Sequence, residues 1–339
     1  MKLLITGGAG FLGARLARTL LARDSLAGQA IDAMVLADQI APPPDLLADP
    51  RVSARVGPLL EQCARLGAER FDGVFHLASA VSGECEVDFD LGMRSNLDST
   101  RALLDALRAA GNAPRFLFSS SVAVFGPDPG SPGRPLPEVV ADDTLPAPQT
   151  SYGTQKLMCE QFIADCTRKG FIDGRAARLM TVTVRPGKPN AAASSFFSGI
   201  IREPLAGVES ICPVGEEVSH PVSSPARTVE GLIAVYEAPR AALGGRLALN
   251  LPALNVTVRE MLAALEAVAG PAVRAHVRFV RDERIAGIVA NWPQGASAGR
   301  AARLGLAPEA AFADIIRQYI ADCRARPDDA HVTLKGLAS

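Results

Sequence analysis

Short apolar runs alternate with amphipathic stretches along most of the chain. Lys2 to Thr6 reads as a buried strand and meets a glycine-punctuated turn. Leu12, Leu16 and Leu20 then recur every four residues, which predicts a helix over about Phe11 to Arg23. Ile31 to Ala37, ending at Asp38, Phe71 to Ala78, and Arg115 to Ser119 read as further strands. Helices are predicted from about Met93 to Ala110, stopped by Gly111, and from Tyr152 to Lys169, closed by Gly170. Leu179 to Arg185 is β-branched and alternating, a strand pattern. Strands alternating with helices predict an α/β fold with a parallel sheet wound on both faces.

Two stretches break the alternation. Gly126 to Thr150 is rich in proline and reads as a long irregular loop. Gly187 to Ser224 interrupts the strand–helix order. Ser224-Pro225 has the form of an N-cap with proline in the first turn, opening a helix to about Glu237. Leu247 to Leu251 could add one more strand to the main sheet. From about Asn255 the pattern is helical and less regular, and the tail after Pro327 is polar and expected to fray.

Composition narrows the classes. Apolar residues make up 48% of the 339, enough for a sizeable core. The 35 basic residues balance 36 acidic ones, which argues against a general nucleic-acid or polyanion binder. The six cysteines form no CxxC pair and the four histidines lie far apart, so no zinc spacing is present. Such cysteines read as buried apolar groups in a reducing compartment. No signal-peptide pattern and no membrane-length apolar run occur, so the expected location is the cytoplasm. Tyrosine and lysine are scarce, at three and five residues. A motif that needs both is therefore informative.

Gly7, Gly10 and Gly13 are spaced GxxGxxG between a predicted strand and helix. Glycines let the backbone approach a pyrophosphate, and the helix N-terminus offers free N–H groups and partial positive charge. Asp38 at the end of the second strand can accept from a ribose diol and would repel a 2′-phosphate, which favours NAD over NADP. Tyr152 and Lys156 share one helix face. A phenol titrates near pH ~10 and serves as a base near neutrality only when its phenolate is stabilised, as a neighbouring ammonium does. The serine run Ser119-Ser120-Ser121 ends a strand, where open α/β sheets bind ligands.

Taken with His76-Leu77-Ala78-Ser79, Asn96 and Arg185-Pro186-Gly187, these motifs resemble the extended short-chain dehydrogenases/reductases, also called the NAD-dependent epimerase/dehydratase type. The resemblance implies a Rossmann-type doubly wound sheet over residues 1–187, completed by about 224–251. A smaller C-terminal α/β substrate domain would comprise 188–223 and 252–339. It implies that Tyr152 is the general base or acid, that Lys156 stabilises its phenolate and holds the nicotinamide ribose, and that Ser121 is the catalytic serine. Phe11 and Leu12 would belong to the cofactor loop. Leu77, Ala78 and Ser79 would line the nicotinamide side with Ser119, Asn96 would support the active-site strands, and Pro186 and Gly187 would lie near the carboxamide. A homodimer through the helices beginning at Met93 and Tyr152 is also implied.

Two departures stand out. An acidic–apolar pair that the family often uses against adenine is replaced by Val56-Gly57-Pro58-Leu59, and Phe125 stands where Tyr is common. The residues after Ser121 are Val122 and Ala123, so elimination chemistry needing a carboxylate there is disfavoured. Phe89 to Asn96 and Arg185 to Leu205 are similar to a sugar-acid dehydrogenase subgroup, which implies oxidation of the C2 hydroxyl of a four-carbon sugar acid to the 2-oxo acid. Ser79, Ser82, Ser121, Asn190 and Ser195 are the candidate hydroxyl partners, and Arg185 or Arg227 the candidate carboxylate partner. His220, at the start of a predicted strand, is a weaker candidate, and Phe196 and Phe197 are expected to pack. The alternatives are a sugar-nucleotide 4-epimerase, a dehydrogenase of uronates or other aldonates, and a non-enzymatic cofactor sensor on the same fold. The intact Tyr152/Lys156 pair disfavours the last.

Overall fold

The computed structural model describes residues 1–128, 130, 136–187, 192–325 and 334–337. Its main sheet is built from β1 (Lys2–Thr6), β2 (Ala33–Asp38), β3 (Val52–Val56), β4 (Gly73–His76), β5 (Arg115–Ser121), β6 (Asp173–Leu179) and, after a smaller-sheet segment, a short strand at Leu249–Asn250. Seven strands lie side by side, all parallel, in the order Leu249–Asn250, β6, β5, β4, β1, β2, β3. A strand covered on both faces has no polar side to spare, which explains the unbroken runs of β1 and β2. Helices α1 (Phe11–Arg23), α2 (Leu59–Ala68), α3 (Ser82–Val87), α4 (Phe89–Gly92), α5 (Ser99–Ala110) and α6 (Ser151–Arg168) follow in turn. Leu16 and Leu20 of α1 join one core with Leu3, Ile5 and Leu117, and Leu103 and Leu107 of α5 join the other with Leu4 and Phe116.

Several elements differ from the sequence reading. The strand expected at Leu179 to Arg185 gives the main sheet almost nothing: β6 is Asp173–Leu179, and only Thr181–Val182, β7, continues, in a second sheet. The segment DGRAARL carries charge at Asp173, Arg175 and Arg178, and its arginines are buried against carboxylates rather than replaced by apolar groups. β3 and α2 also emerge, from a segment whose strand is only half-buried. The helix expected from Met93 begins as a π-turn over Met93–Asp98 before α5.

The smaller sheet pairs β7 with β9 (Ser219–Ser223) and β9 with a strand at Leu254–Thr257, so the chain from Asn255 begins extended, not helical. β8 (Ser210–Cys212) pairs with Val277–Phe279. Helices α7 (Ser195–Leu205), α8 (Pro225–Glu237) and α9 (Val258–Ala269) follow, with α10 at Glu283–Val289 and α11 at Phe312–Arg324. Phe197, Ile201, Leu262 and Ile316 belong to the core beneath this sheet. The described part of the tail is docked rather than frayed. Leu334 and Leu337 pack on that core, and the Gly336 N–H donates to the Leu205 carbonyl at 2.8 Å. Among the described residues no helix is long and apolar enough to cross a membrane, and no cluster suits a metal ion. All six cysteines are free and buried, and burial pushes the Cys63 thiol up to about 12.

Candidate active site

A single cleft of about 2050 Å³ runs along the carboxyl ends of the parallel strands. Its cofactor end is shaped by glycines. Gly7 has φ +70°, and a Cβ there would lie 2.8 Å from the Ala78 nitrogen. A Cβ on Gly13 would lie 2.0 Å from the Gly7 carbonyl oxygen. Any larger residue would push the loop into the space it now leaves open before α1, whose first N–H groups have no intrahelical partner. Asp38 is fixed beside this loop, its Oδ2 accepting from the Ala9 N–H at 2.9 Å. Beyond Asp38 the lining mixes apolar Ile40, Pro58, Leu59 and Leu60 with polar Gln39 and Glu61. Gly57-Pro58 itself offers no side-chain carboxylate, and Glu61 is the acidic residue that lines this end. The cradle, the bare helix end and the anchored carboxylate together fit a dinucleotide.

Ser121, Tyr152 and Lys156 meet in the middle of the cleft. Thr150 caps α6 by accepting from the Gly153 N–H at 3.0 Å, which sets Tyr152 in the first turn and Lys156 one turn below it. Lys156 is buried. Its Nζ donates to the Ser119 carbonyl at 2.9 Å and lies 5.5 Å from the Tyr152 ring centre and 4.7 Å from that of Phe118. Ser121 Oγ accepts from the Ala123 N–H at 3.1 Å, which leaves its own proton free to donate. Beneath the trio, Glu160 holds Ser120 and both arms of Arg178 (2.9 and 2.8 Å), tying α6 to β5 and β6.

A second buried network lies behind Ser79 and Ala80. Asn96 Oδ1 accepts from Ser79 Oγ at 3.0 Å and Ala80 N–H at 2.7 Å, while its Nδ2 donates to Gln155 at 2.8 Å. Asn96 is thus engaged by the protein and does not itself line the cleft. His76 bridges Thr6 (2.6 Å) and Thr100 (2.8 Å), and the Thr100 hydroxyl itself donates to the Asn96 carbonyl. His76 Nε2 must then be the donor and Nδ1 the acceptor. Burial, with the nearby Lys156 charge, pushes its titration down to about 3, so it is neutral. Gly7, Gly10, Phe11, Leu12, Gly13, Leu77, Ala78, Ser79 and Ser119 all line the cleft; Pro186 and Gly187 do not. The chain turns away after Arg185, with Gly187 at φ +87°.

On the substrate side Arg185 lines the cleft, its Nε donating to the Val182 carbonyl at 2.8 Å and its Nη2 to Ser194 Oγ at 3.1 Å. Among the described residues no carboxylate pairs with it, and burial lowers its titration. Ser79, Ser82 and Ser195 line the same space. Arg227 does not: it lies on the outer face of α8, half-exposed and paired with Glu230 at 2.8 Å one turn on, because the capped start of α8 points it outward. Asn190 lies outside the described residues. His220 is buried in the cleft floor, accepting from Thr181 at 2.7 Å and donating to the Pro293 carbonyl at 3.2 Å. It stacks on Phe197 at 5.0 Å, and burial holds it down at about 4. Phe196 and Phe197 are buried, as expected of packing residues. The sequence reading missed the contribution of α10 and of Trp292 and Pro293. The lone tryptophan was the available signal.

A sequence profile of the NAD dependent epimerase/dehydratase family matches residues 3–218. The D-erythronate dehydrogenase of Cupriavidus necator is 49% identical over 328 residues, spanning 95% of this chain and 98% of the relative. That of Haemophilus influenzae is 44% identical over 326 residues, spanning 94% and 99%. Among solved structures, the nucleoside-diphosphate-sugar epimerase from Agrobacterium tumefaciens superposes with a TM-score of 0.89 at 41% identity, covering 96% of this chain and 95% of that one. The L-threonine 3-dehydrogenase from Trypanosoma brucei, at 22% identity and a TM-score of 0.82, shares the fold. With the glycine cradle and the Tyr152/Lys156 pair in place and close relatives matching along nearly its whole length, the chain belongs to the NAD-dependent epimerase/dehydratase family and is an NAD-dependent enzyme.

Proposed function

We propose that the protein oxidises the C2 hydroxyl of a small sugar acid, D-erythronate to 2-oxo-tetronate, through Ser121, Tyr152 and Lys156. Both relatives described above carry the name D-erythronate dehydrogenase. The observation that carries the reading for this chain is Arg185, a cation in the cleft that no carboxylate among the described residues pairs with. A substrate carboxylate paired there sets the adjacent C2 hydroxyl towards Tyr152, which lines the same cleft.

Tyr152, as phenolate, takes the C2 hydroxyl proton, with the Lys156 ammonium 5.5 Å from its ring centre. Ser121 donates to the same oxygen while its charge changes. The Ser119 carbonyl fixes Lys156, so the ammonium is not free to drift. Ser79, Ser82 and Ser195 serve the remaining hydroxyls. Gly7 to Gly13 and Asp38 would hold NAD, which would supply the hydride acceptor. We also propose a cytoplasmic homodimer, and a division of labour in which 1–187 with about 224–251 holds the cofactor and 188–223 with 252–339 the acid.

The 4-epimerase reading requires room for a nucleoside diphosphate. Glu203, Glu209 and Glu283 line the cleft, each paired with an arginine (Arg202, Arg278 and Arg281), so charge there does not decide between the two readings. The test is reduced-cofactor formation from D-erythronate with added NAD, set against conversion of uridine-diphosphate sugars without it. Turnover of the first alone is expected; turnover of the second alone would overturn the assignment.

A further inference from the structure

The cleft does not end at Tyr152 and Arg185. It continues along α7, where Ser195, Gly199 and Glu203 recur every four residues on the face that lines it. At 1.5 Å rise per residue, Glu203 stands about 12 Å beyond Ser195. A four-carbon acid spans only about 6 Å at roughly 1.5 Å per bond. Seated on Arg185, it leaves this outer arm unfilled.

Two glycines of the cleft lining matter here. Gly287 of α10 lines the same cleft, and a Cβ there would meet nothing within 4 Å. A Cβ on Gly199 would come within 3.3 Å of Glu203 Oε2 and 3.6 Å of Ser210 Oγ, so these two polar groups converge beside the bare helix face. Glu203 Oε1 is held by Arg202, but its Oε2 is buried without a hydrogen-bond partner. A buried acceptor left unmatched is costly and is relieved by a donor. A hydroxyl meets that need; a phosphate or carboxylate does not.

We propose that this arm receives the distal hydroxylated carbons of aldonates longer than four carbons, with Glu203 and Ser210 taking a terminal hydroxyl. The inference rests on the reading of the site as a sugar-acid dehydrogenase and extends its substrate class. Glu203 is a specificity residue here, not a catalytic one.

The test is steady-state kinetics with NAD on D-erythronate and on six-carbon aldonates of the same C2 configuration, for the parent enzyme and Gly287→Leu. Leucine favours the helix over glycine and points into open space, so folding is spared. The parent enzyme should oxidise a six-carbon acid with kcat/KM within about tenfold of that for D-erythronate. Gly287→Leu should lower the six-carbon value by more than about tenfold while changing the four-carbon value less than about twofold. Oxidation of D-erythronate without any six-carbon acid would overturn the inference, as would equal losses on both substrates in the variant. Oxidation of neither acid by the parent enzyme would overturn the underlying reading, and the inference with it.

Discussion

The Lys156 ammonium sits 5.5 Å from the centre of the Tyr152 ring and is fixed there by the Ser119 carbonyl at 2.9 Å. One helical turn and one strand end thus hold the charge that a tyrosine base needs. Removing the phenolic oxygen leaves this scaffold intact. Tyr152→Phe is expected to lower kcat by about 10²–10⁴-fold. NAD affinity, measured by fluorescence titration, should stay nearly unchanged.

Asp38 accepts from the Ala9 N–H through one carboxylate oxygen. Asn at this position keeps an acceptor and removes the charge. Asp38→Asn should therefore tighten NADP relative to NAD by about tenfold or more, since a like-charge contact with the 2′-phosphate is relieved. Comparing kcat/KM for the two cofactors checks this.

Arg185 lends Nε and Nη2 to the protein and keeps no carboxylate partner among the described residues. Arg185→Gln should cost about ten- to a hundredfold in kcat/KM for the acid, the worth of a charge-assisted hydrogen bond, chiefly through KM. Lysine at this position should restore only part of it, because an ammonium lacks the fork geometry.

His76 and His220 are buried and neutral, held down at about 3 and about 4. Their unfolded counterparts titrate near ~6.5. Above that value neither state takes up the proton and the stability is fully present. As pH falls below it, the unfolded chain gains protons that the native state refuses, so each histidine costs about 1.4 kcal/mol per pH unit until its native value is reached. Melting temperature should fall steadily from about pH 6.5 to pH 5, before ordinary carboxylates titrate. A folded His220→Gln variant should show a shallower slope over that window.

What was legible in the sequence follows from which forces are local. The glycine spacing, Asp38, and the Tyr152/Lys156 pair are read within one turn or one strand end, and each lies where that reading puts it. β6 was hidden because its burial is electrostatic. Arg175 and Arg178 are paired with Asp173 and Glu160, partners that no periodicity reveals. The misplaced strand at Leu179 to Arg185 has the same cause. Arg227 and Arg185 could not be ranked from composition. Helix phase turned one outward to Glu230, and chain folding turned the other into the cleft. The contribution of α10 and the residues after it depends on contacts between segments about seventy residues apart, such as His220 with Trp292 at 5.2 Å between ring centres.

The central claim, hydride removal from C2 of a small sugar acid, is tested most directly with D-erythronate carrying deuterium at C2, reacted with NAD and followed by mass spectrometry of the reduced cofactor. The account predicts one deuterium in every reduced cofactor molecule. Unlabelled reduced cofactor, or none at all, would contradict it.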